Sequence, residues 1–379
     1  MEQCYTPRQQ QFIDLAGTLA DEFAVRAAEH DRDGTFPFEN YERMKQTGYL
    51  GLSVPVELGG MGASLLEMCL AQERLAQGCA STAVTMAVTN MVAETIVKFG
   101  TPEQRQRYVP ELTSGRFQAG SFGLSEPSGG SDAAGLRTTA RRDEGGWVMN
   151  GEKQWITSGD RAGVIIVWAR TSPGRGSKGI SAFLVEGGQA GLHIGKHEDK
   201  MGLRASTTVS LAFEDMRLRG DQLLGEEGHG FPIAMSALDG GRIGIASQAV
   251  GMGLAALQAA ARYAKERHAF GQPIASYQAL RFMLADCDVE MSAARLLALR
   301  AAALKEAGRP FSSEGSMAKV FATEKANRAC DVAVQVHGGY GYIDEFPVER
   351  YYRDVRATTI YEGTSEIQRL VIARDLLKE

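Results

Sequence analysis

The sequence predicts a multidomain α+β fold: an N-terminal helical domain (1–116), a central antiparallel β domain (117–226) and a C-terminal helical bundle (227–379). Three observations carry it. Apolar residues keep a helical period up to about Arg116, alternate in strand fashion through Glu226, and return to helical spacing from about Phe231. The strands fall in one block, which excludes a regular βαβ alternation. A chain of 379 residues with 44% apolar content can bury two or three cores, since one core rarely grows past about 250–300 residues.

Each element has a local cause. Thr6 can cap a first helix, Pro7 suits its first position, and Phe12, Leu15, Leu19 and Phe23 share one face. Ser64 with Glu67 makes a capping box, and Thr101-Pro102 with Gln104 opens another helix. In the central zone Asn150-Gly151, between 147–149 and 153–155, predicts a hairpin, because a type I′ turn needs positive φ at both positions. Segments 164–168, 180–185 and 207–213 read as further strands. Beyond Phe231, Val250, Gly253, Leu254, Leu257, Ala261 and Ala264 make one helical stripe. A second runs from Leu280 through Cys287 and Met291 to Ala294, and a third from Ala318 through Ala329 to Val336, ending at Gly338-Gly339. Long amphipathic helices with short joins predict an antiparallel bundle.

The formal charge of −5 argues against a nucleic-acid or anionic-membrane surface. The basic runs at 137–142 and 217–219 are followed by acidic residues and read as solvated strand faces. Cys4, Cys69, Cys79, Cys287 and Cys330 are dispersed without a C-x-x-C pair, so they suggest reduced, buried thiols rather than disulfides or zinc ligands. No apolar run approaches the roughly 20 residues of a membrane span, and no signal-peptide core follows the N-terminus. A cytoplasmic protein, or a mature mitochondrial matrix protein, is expected.

Three apparent motifs are set aside. Gly251-Met252-Gly253-Leu254-Ala255-Ala256 matches a dinucleotide fingerprint, but it lies inside a helical pattern and not at a strand-to-helix turn. His193 and His197 lack a metal-site context, and 191–196 is one residue short of a phosphate loop.

Two stretches stand out. Phe122-Gly123-Leu124-Ser125-Glu126-Pro127-Ser128-Gly129-Gly130-Ser131 would form a turn rich in N–H and hydroxyl donors, suited to a polar or anionic ligand. A loop joining two domains would have similar composition. In Ile360-Tyr361-Glu362-Gly363-Thr364-Ser365-Glu366, a carboxylate is set among apolar neighbours beside a glycine that lets the backbone approach a ligand. Burial would raise its pKa and make Glu362 a base near neutral pH. Thr364 and Glu366 would cap a helix starting near Ser365, and a solvated cap-region glutamate is the alternative.

These stretches, with Trp155-Ile156-Thr157, Leu238-Asp239-Gly240-Gly241-Arg242, Arg267-His268-Ala269-Phe270-Gly271 and Gln335-Val336-His337-Gly338-Gly339, resemble the acyl-CoA dehydrogenase family from end to end, and most the short-chain (butyryl-CoA) branch. The resemblance implies a C-terminal four-helix bundle, FAD as cofactor, a homotetramer, and electron transfer flavoprotein as partner. It implies that Phe122, Leu124, Ser125, Gly130, Ser131, Trp155, Ile156 and Thr157 hold the flavin. Arg267, Phe270, Gln278, Gln335, Gly338 and Gly339 would hold the adenosine diphosphate half across a subunit boundary, and Thr364 and Glu366 would also touch FAD. Ser131, Asp239, Arg242, Tyr361 and Gly363 would contact the acyl-CoA. Glu362 matches the family's catalytic base in the short- and medium-chain branches. Other branches take the base from the helix carrying Arg242, where this chain has Gly241.

The implied reaction is α,β-dehydrogenation to trans-2-enoyl-CoA, a step of fatty acid β-oxidation. Rival readings are an oxidase, decarboxylating or lyase variant of the fold, or a non-catalytic flavoprotein used for binding. Segment 75–97, expected to line the acyl pocket, has no Lys or Arg, which disfavours a dicarboxylyl substrate.

Overall fold

The computed structural model describes residues 5–378. Five helices open the chain: α1 (Pro7–Asp33), α2 (Phe38–Thr47), α3 (Leu65–Gly78), α4 (Ala80–Phe99) and α5 (Pro102–Thr113). Their starts follow local chemistry. Thr6 Oγ1 accepts from Gln9 N at 3.2 Å while Thr6 N donates to Gln9 Oε1 at 2.9 Å. Ser64 with Glu67 and Thr101 with Gln104 repeat the same reciprocal box. α1 packs on α3.

One eight-stranded sheet follows: β1 (Ala119–Gly123), β2 (Thr139–Asp143), β3 (Gly146–Thr157), β4 (Ala162–Arg170), β5 (Ile180–Glu186), β6 (Leu192–His197), β7 (Thr208–Arg219) and β8 (Leu223–Leu224). Its order is β6-β7-β3-β2-β4-β5-β8, with β1 beside β4. Pairing is mainly antiparallel; β1 runs parallel to β4, and β2 meets β4 at one parallel bridge. Trp168, Phe183 and Phe213 are among its fully buried side chains. The basic residues of β2 and β7 face outward, where Arg142 pairs with Glu227 at 2.8 Å and Arg217 with Asp143 at 2.5 Å.

The expected hairpin at Asn150-Gly151 does not form. β3 runs unbroken through both residues, and the chain reverses just before it, where Gly145 has φ +89°. Asn150-Gly151 instead marks a bulge, where pairing with β7 skips from Met149↔Met216 to Gly151↔Phe213. The Asn150 amide exchanges bonds with Asp215 at 3.0 and 2.8 Å. A Cβ on Gly151 would lie 2.7 Å from Thr138 Cα. The conformational freedom that favours Asn-Gly in tight turns serves a bulge equally well.

The C-terminal part comprises α6 (Gly230–Glu266), the short strands β9 (His268–Ala269) and β10 (Gln272–Pro273), then α7 (Gln278–Glu306), α8 (Ser312–His337), α9 (Val348–Arg356) and α10 (Ser365–Leu377). α6 and α8 pack along each other, α7 closes on both, and α10 lies on α8. The glycines of the false fingerprint let α6 approach its neighbours. A Cβ on Gly251 would sit 2.2 Å from Glu73 O, and one on Gly253 would sit 2.4 Å from Met291 Sδ.

α4 and α6 are long and apolar enough to cross a membrane, contrary to the sequence expectation. Both are core helices, with 78% and 89% of their most apolar windows buried inside the fold. Cys69, Cys79, Cys287 and Cys330 are free and buried, and burial pushes the Cys69 thiol up to about 12. Cys4 lies outside the described residues.

Candidate active site

Glu362 sits on the turn between α9 and α10 with φ +53°, followed by Gly363 at φ +91°. A non-glycine residue in the left-handed region costs free energy and persists only when its surroundings over-determine it. The surroundings do so here. Thr364 caps α10 by accepting from Ile367 N at 3.4 Å. The Gly363 carbonyl accepts from Lys319 Nζ at 2.5 Å and from Gln368 Nε2 at 2.8 Å. A Cβ on Gly363 would lie 2.7 Å from Gln368 Nε2, so the turn itself requires the glycine.

The Glu362 side chain lines a cavity of about 900 Å³ walled mainly by α3, α4, α6 and the C-terminal end of α7 with the residues after it. The residue keeps partial exposure through that cavity, but its Oε2 is sealed from solvent and has no hydrogen-bond partner. Burial pushes its carboxyl up to about 7, against the downward pull of the cations Lys319 and Arg242. The Glu362 main-chain N–H also makes no hydrogen bond among the described residues. The site thus joins a buried carboxylate poised near neutrality to an unused main-chain donor.

Arg242 is 5% exposed and donates to Asp239 Oδ1 at 2.6 Å, an oxygen that Ser312 Oγ also reaches at 2.9 Å. Asp239 faces the cavity beside Gly240 and Gly241. Tyr361 turns away, its hydroxyl donating to Gln248 Oε1 at 3.2 Å. Sequence reasoning missed Lys319, which is fully buried. The missed signal was its spacing: Gly315, Lys319, Ala322, Ala326 and Ala333 form one buried stripe on α8.

Segment 75–97 contributes only uncharged residues and Glu94 to the wall, but cations enter from outside it. Lys98, bonded to Ser236 Oγ at 2.7 Å, Lys305 and Arg309 all line the cavity. The lack of cations in 75–97 therefore does not by itself disfavour an anionic substrate group.

The loop 122–131 is clipped to the end of β3, with Gln154 N donating to Ser125 O at 2.9 Å and Ser121 Oγ to Thr157 O at 2.7 Å. This brings Ser125, Gly130 and Ser131 to the same sheet end as Trp155 and Thr157. Inside the loop, Glu126 accepts from Lys153 Nζ at 2.8 Å, Arg137 N at 2.6 Å and Thr138 N at 2.9 Å, and Lys153 also donates to Leu124 O. Burial pushes both groups toward their neutral forms. Lys153 falls to about 8 through burial, while the ammonium and main-chain donors keep Glu126 below the usual carboxylate range. Leu124 and Ile156 are buried in core clusters, the Leu124 carbonyl is taken by Lys153 and the Ile156 carbonyl accepts from Gly159 N at 3.3 Å, and the rings of Phe122 and Trp168 meet at a 45° tilt with centroids 4.3 Å apart.

Trp155 is 62% exposed at φ +63°. Beside it Ser158 Oγ is buried with no partner, and an orphaned donor on the flank of a donor-rich loop fits a polar ring such as an isoalloxazine. A second cavity, about 440 Å³, is lined by Arg267, His337, Gly338 and Gly339 among others. Cβ atoms on either glycine would meet nothing within 4 Å, leaving an open cradle beside a guanidinium that fits a diphosphate. Gln335 lies exposed on the last turn of α8, Phe270 on the β9–β10 turn is 95% exposed, Gln278 is exposed at the start of α7, and Glu366 is exposed on α10. None of these four lines either cavity.

The family models "Acyl-CoA dehydrogenase, N-terminal domain", "middle domain" and "C-terminal domain" match residues 6–116, 121–216 and 228–377. The chain belongs to the acyl-CoA dehydrogenase family. Membership brings FAD as cofactor and dehydrogenation of an acyl thioester as the reaction class. The short-chain specific acyl-CoA dehydrogenase, mitochondrial, of Bos taurus is 50% identical over 353 residues, covering 93% of this chain and 85% of that protein. The butyryl-CoA dehydrogenase structure from Megasphaera elsdenii matches with TM-score 0.96 at 40% identity, covering 98% and 99% of the two chains. A chain from the structure described as the electron transferring flavoprotein of Acidaminococcus fermentans matches with TM-score 0.97 at 43% identity, covering 99% of each.

Proposed function

We propose that this chain oxidises a short-chain acyl-CoA to the trans-2-enoyl-CoA, with Glu362 as the base that removes the α-proton. The single observation that carries this is the Glu362 carboxylate itself, lining the large cavity with Oε2 buried and unpartnered and its pKa raised to about 7. A base with that affinity is half-ionised near neutrality and can both take a proton and later release it. The free Glu362 N–H is the donor we assign to the thioester carbonyl, where it would stabilise enolate charge as it develops. One such donor in a dry site is worth about 2.7–4 kcal/mol. Arg242, held by Asp239, adds positive charge near the base, and Lys98, Lys305 and Arg309 are suited to anionic groups of the CoA. FAD, when bound, accepts the β-hydride.

We assign the flavin to loop 122–131 with 155–157, and the diphosphate to Arg267, Gly338 and Gly339. Phe270, Gln278 and Gln335 would act on FAD of a neighbouring subunit, in keeping with a homotetramer. Phe282, Val289 and Leu296, spaced seven apart, leave an exposed apolar stripe on α7 that suits such an interface. Electrons would leave to electron transfer flavoprotein near Trp155, and the reduced thiols suit a cytoplasmic or matrix setting. Domain divisions at 116 and 226 complete the proposal.

The test is anaerobic titration of purified holoenzyme with acyl-CoAs of increasing chain length, in the parent and in Glu362→Gln. The parent should bleach fastest with a short chain. The variant should retain FAD and bind the same acyl-CoA while bleaching about 10²–10⁴-fold more slowly. Bleaching at the parental rate would remove Glu362 from the role.

A further inference from the structure

A fully buried lysine is uncommon, and Lys319 needs a reason to be one. Its Nζ reaches the carbonyl of Gly363, the residue after the base, at 2.5 Å. That contact crosses from α8 to the turn before α10 and helps clamp Glu362 in the left-handed region. No carboxylate bonds to the ammonium among the described residues, so its charge is left for the interior. The groups facing it are Glu362, Arg242 from α6 and Glu366 from α10. Those facing Glu362 are Lys319 and Arg242, and Arg242 is already committed to Asp239 at 2.6 Å. Of the two cations facing the base, Lys319 is therefore the one without a carboxylate of its own.

We propose that Lys319 is a positioning residue for the base, locking the Glu362–Gly363 turn through the Gly363 carbonyl and supplying the buried positive charge that favours the proton-accepting carboxylate. The inference rests on Glu362 being the base. Lys319 touches no reacting atom; it acts through Glu362. Burial lowers Lys319 to about 8 while the Glu362 charge pulls it up, so the ammonium persists through the range in which Glu362 ionises.

The experiment compares parent holoenzyme with Lys319→Met and Lys319→Gln, measuring kcat and KM for a short-chain acyl-CoA from pH 5.5 to 9. Activity needs ionised Glu362, so the acid limb should move to higher pH in both variants, by about one unit from a parental value of about 7, giving roughly a fivefold lower kcat at pH 7. Lys319→Gln keeps a donor for the Gly363 carbonyl, so it should retain the parental KM and regain most activity at high pH. Lys319→Met should remain impaired even there. A parental acid limb in either variant that retains FAD overturns the proposal. Should neither variant retain FAD, Lys319→Arg decides it: a parental limb supports the charge role and a displaced limb refutes it. A parent that oxidises no acyl-CoA would sink the underlying function instead, a result recognisable without any variant.

Discussion

The Oε2 atom of Glu362 occupies the space a side chain on Gly241 would need: an ideal Cβ at Gly241 would lie 2.1 Å from it. The two positions at which the resemblance looks for a base therefore face each other across one small volume, and in this chain the Glu362 carboxylate fills it from the α10 side.

Gly241→Ala should displace the carboxylate while leaving FAD bound. A misplacement of about 1 Å can cost on the order of 10²-fold in rate. Single-turnover flavin reduction measures the loss, and a rate within twofold of the parent would show that the carboxylate is not fixed where the structure has it.

Glu362 also couples stability to pH. Folded protein holds its proton up to about 7, whereas the unfolded chain releases it near 4.5. Between those values the folded state binds more protons, so stability falls as pH rises. Glu362→Gln should therefore have a higher Tm than the parent at pH 8, with a gap worth at most about 3 kcal/mol. The gap should close toward pH 5; thermal unfolding of substrate-free holoenzyme reads both points, and a pH-independent gap would contradict the assignment.

The Glu126–Lys153 pair predicts a different phenotype. Removing one member strands the other charge, which typically costs about 3–5 kcal/mol. Lys153→Met should lower Tm and speed FAD loss on dilution. Adding Glu126→Leu should recover part of the Tm without restoring cofactor retention, because the loop still lacks its internal tie. Denaturant unfolding and absorbance of the released flavin report the two effects separately.

Gly251→Ala tests the discarded fingerprint. Its Cβ would meet main-chain oxygen, which cannot swing aside as a side chain could. Overpacking of this kind costs about 1–3 kcal/mol. FAD stoichiometry per folded subunit should stay at the parental value, whereas a nucleotide-binding role would lower it.

What the sequence revealed was governed by range. Capping boxes close within three residues, and the α6 and α8 stripes repeat within a few turns, so both were legible. Asn150-Gly151 misled because the backbone freedom it encodes does not say whether the chain reverses or merely bulges. That is decided by Asp215, 65 residues away. The partners of Lys153 and Lys319 are 27 and 44 residues distant, beyond any local rule. Glu362 was placed by motif resemblance, but its sealed oxygen and free N–H exist only once α6, α8 and α10 have closed around it. The membrane-length apolar runs of α4 and α6 were overlooked because small residues and threonines dilute them.

Phe270 leaves 95% of its surface in water at a tight two-stranded bend, next to the Arg267 that lines the second cavity. An aromatic presented this way is an offered half-contact. If another subunit supplies the other half, colour and quaternary state become a single equilibrium. Diluting the yellow protein would then release flavin and subunits together, and excess FAD would drive reassembly by mass action.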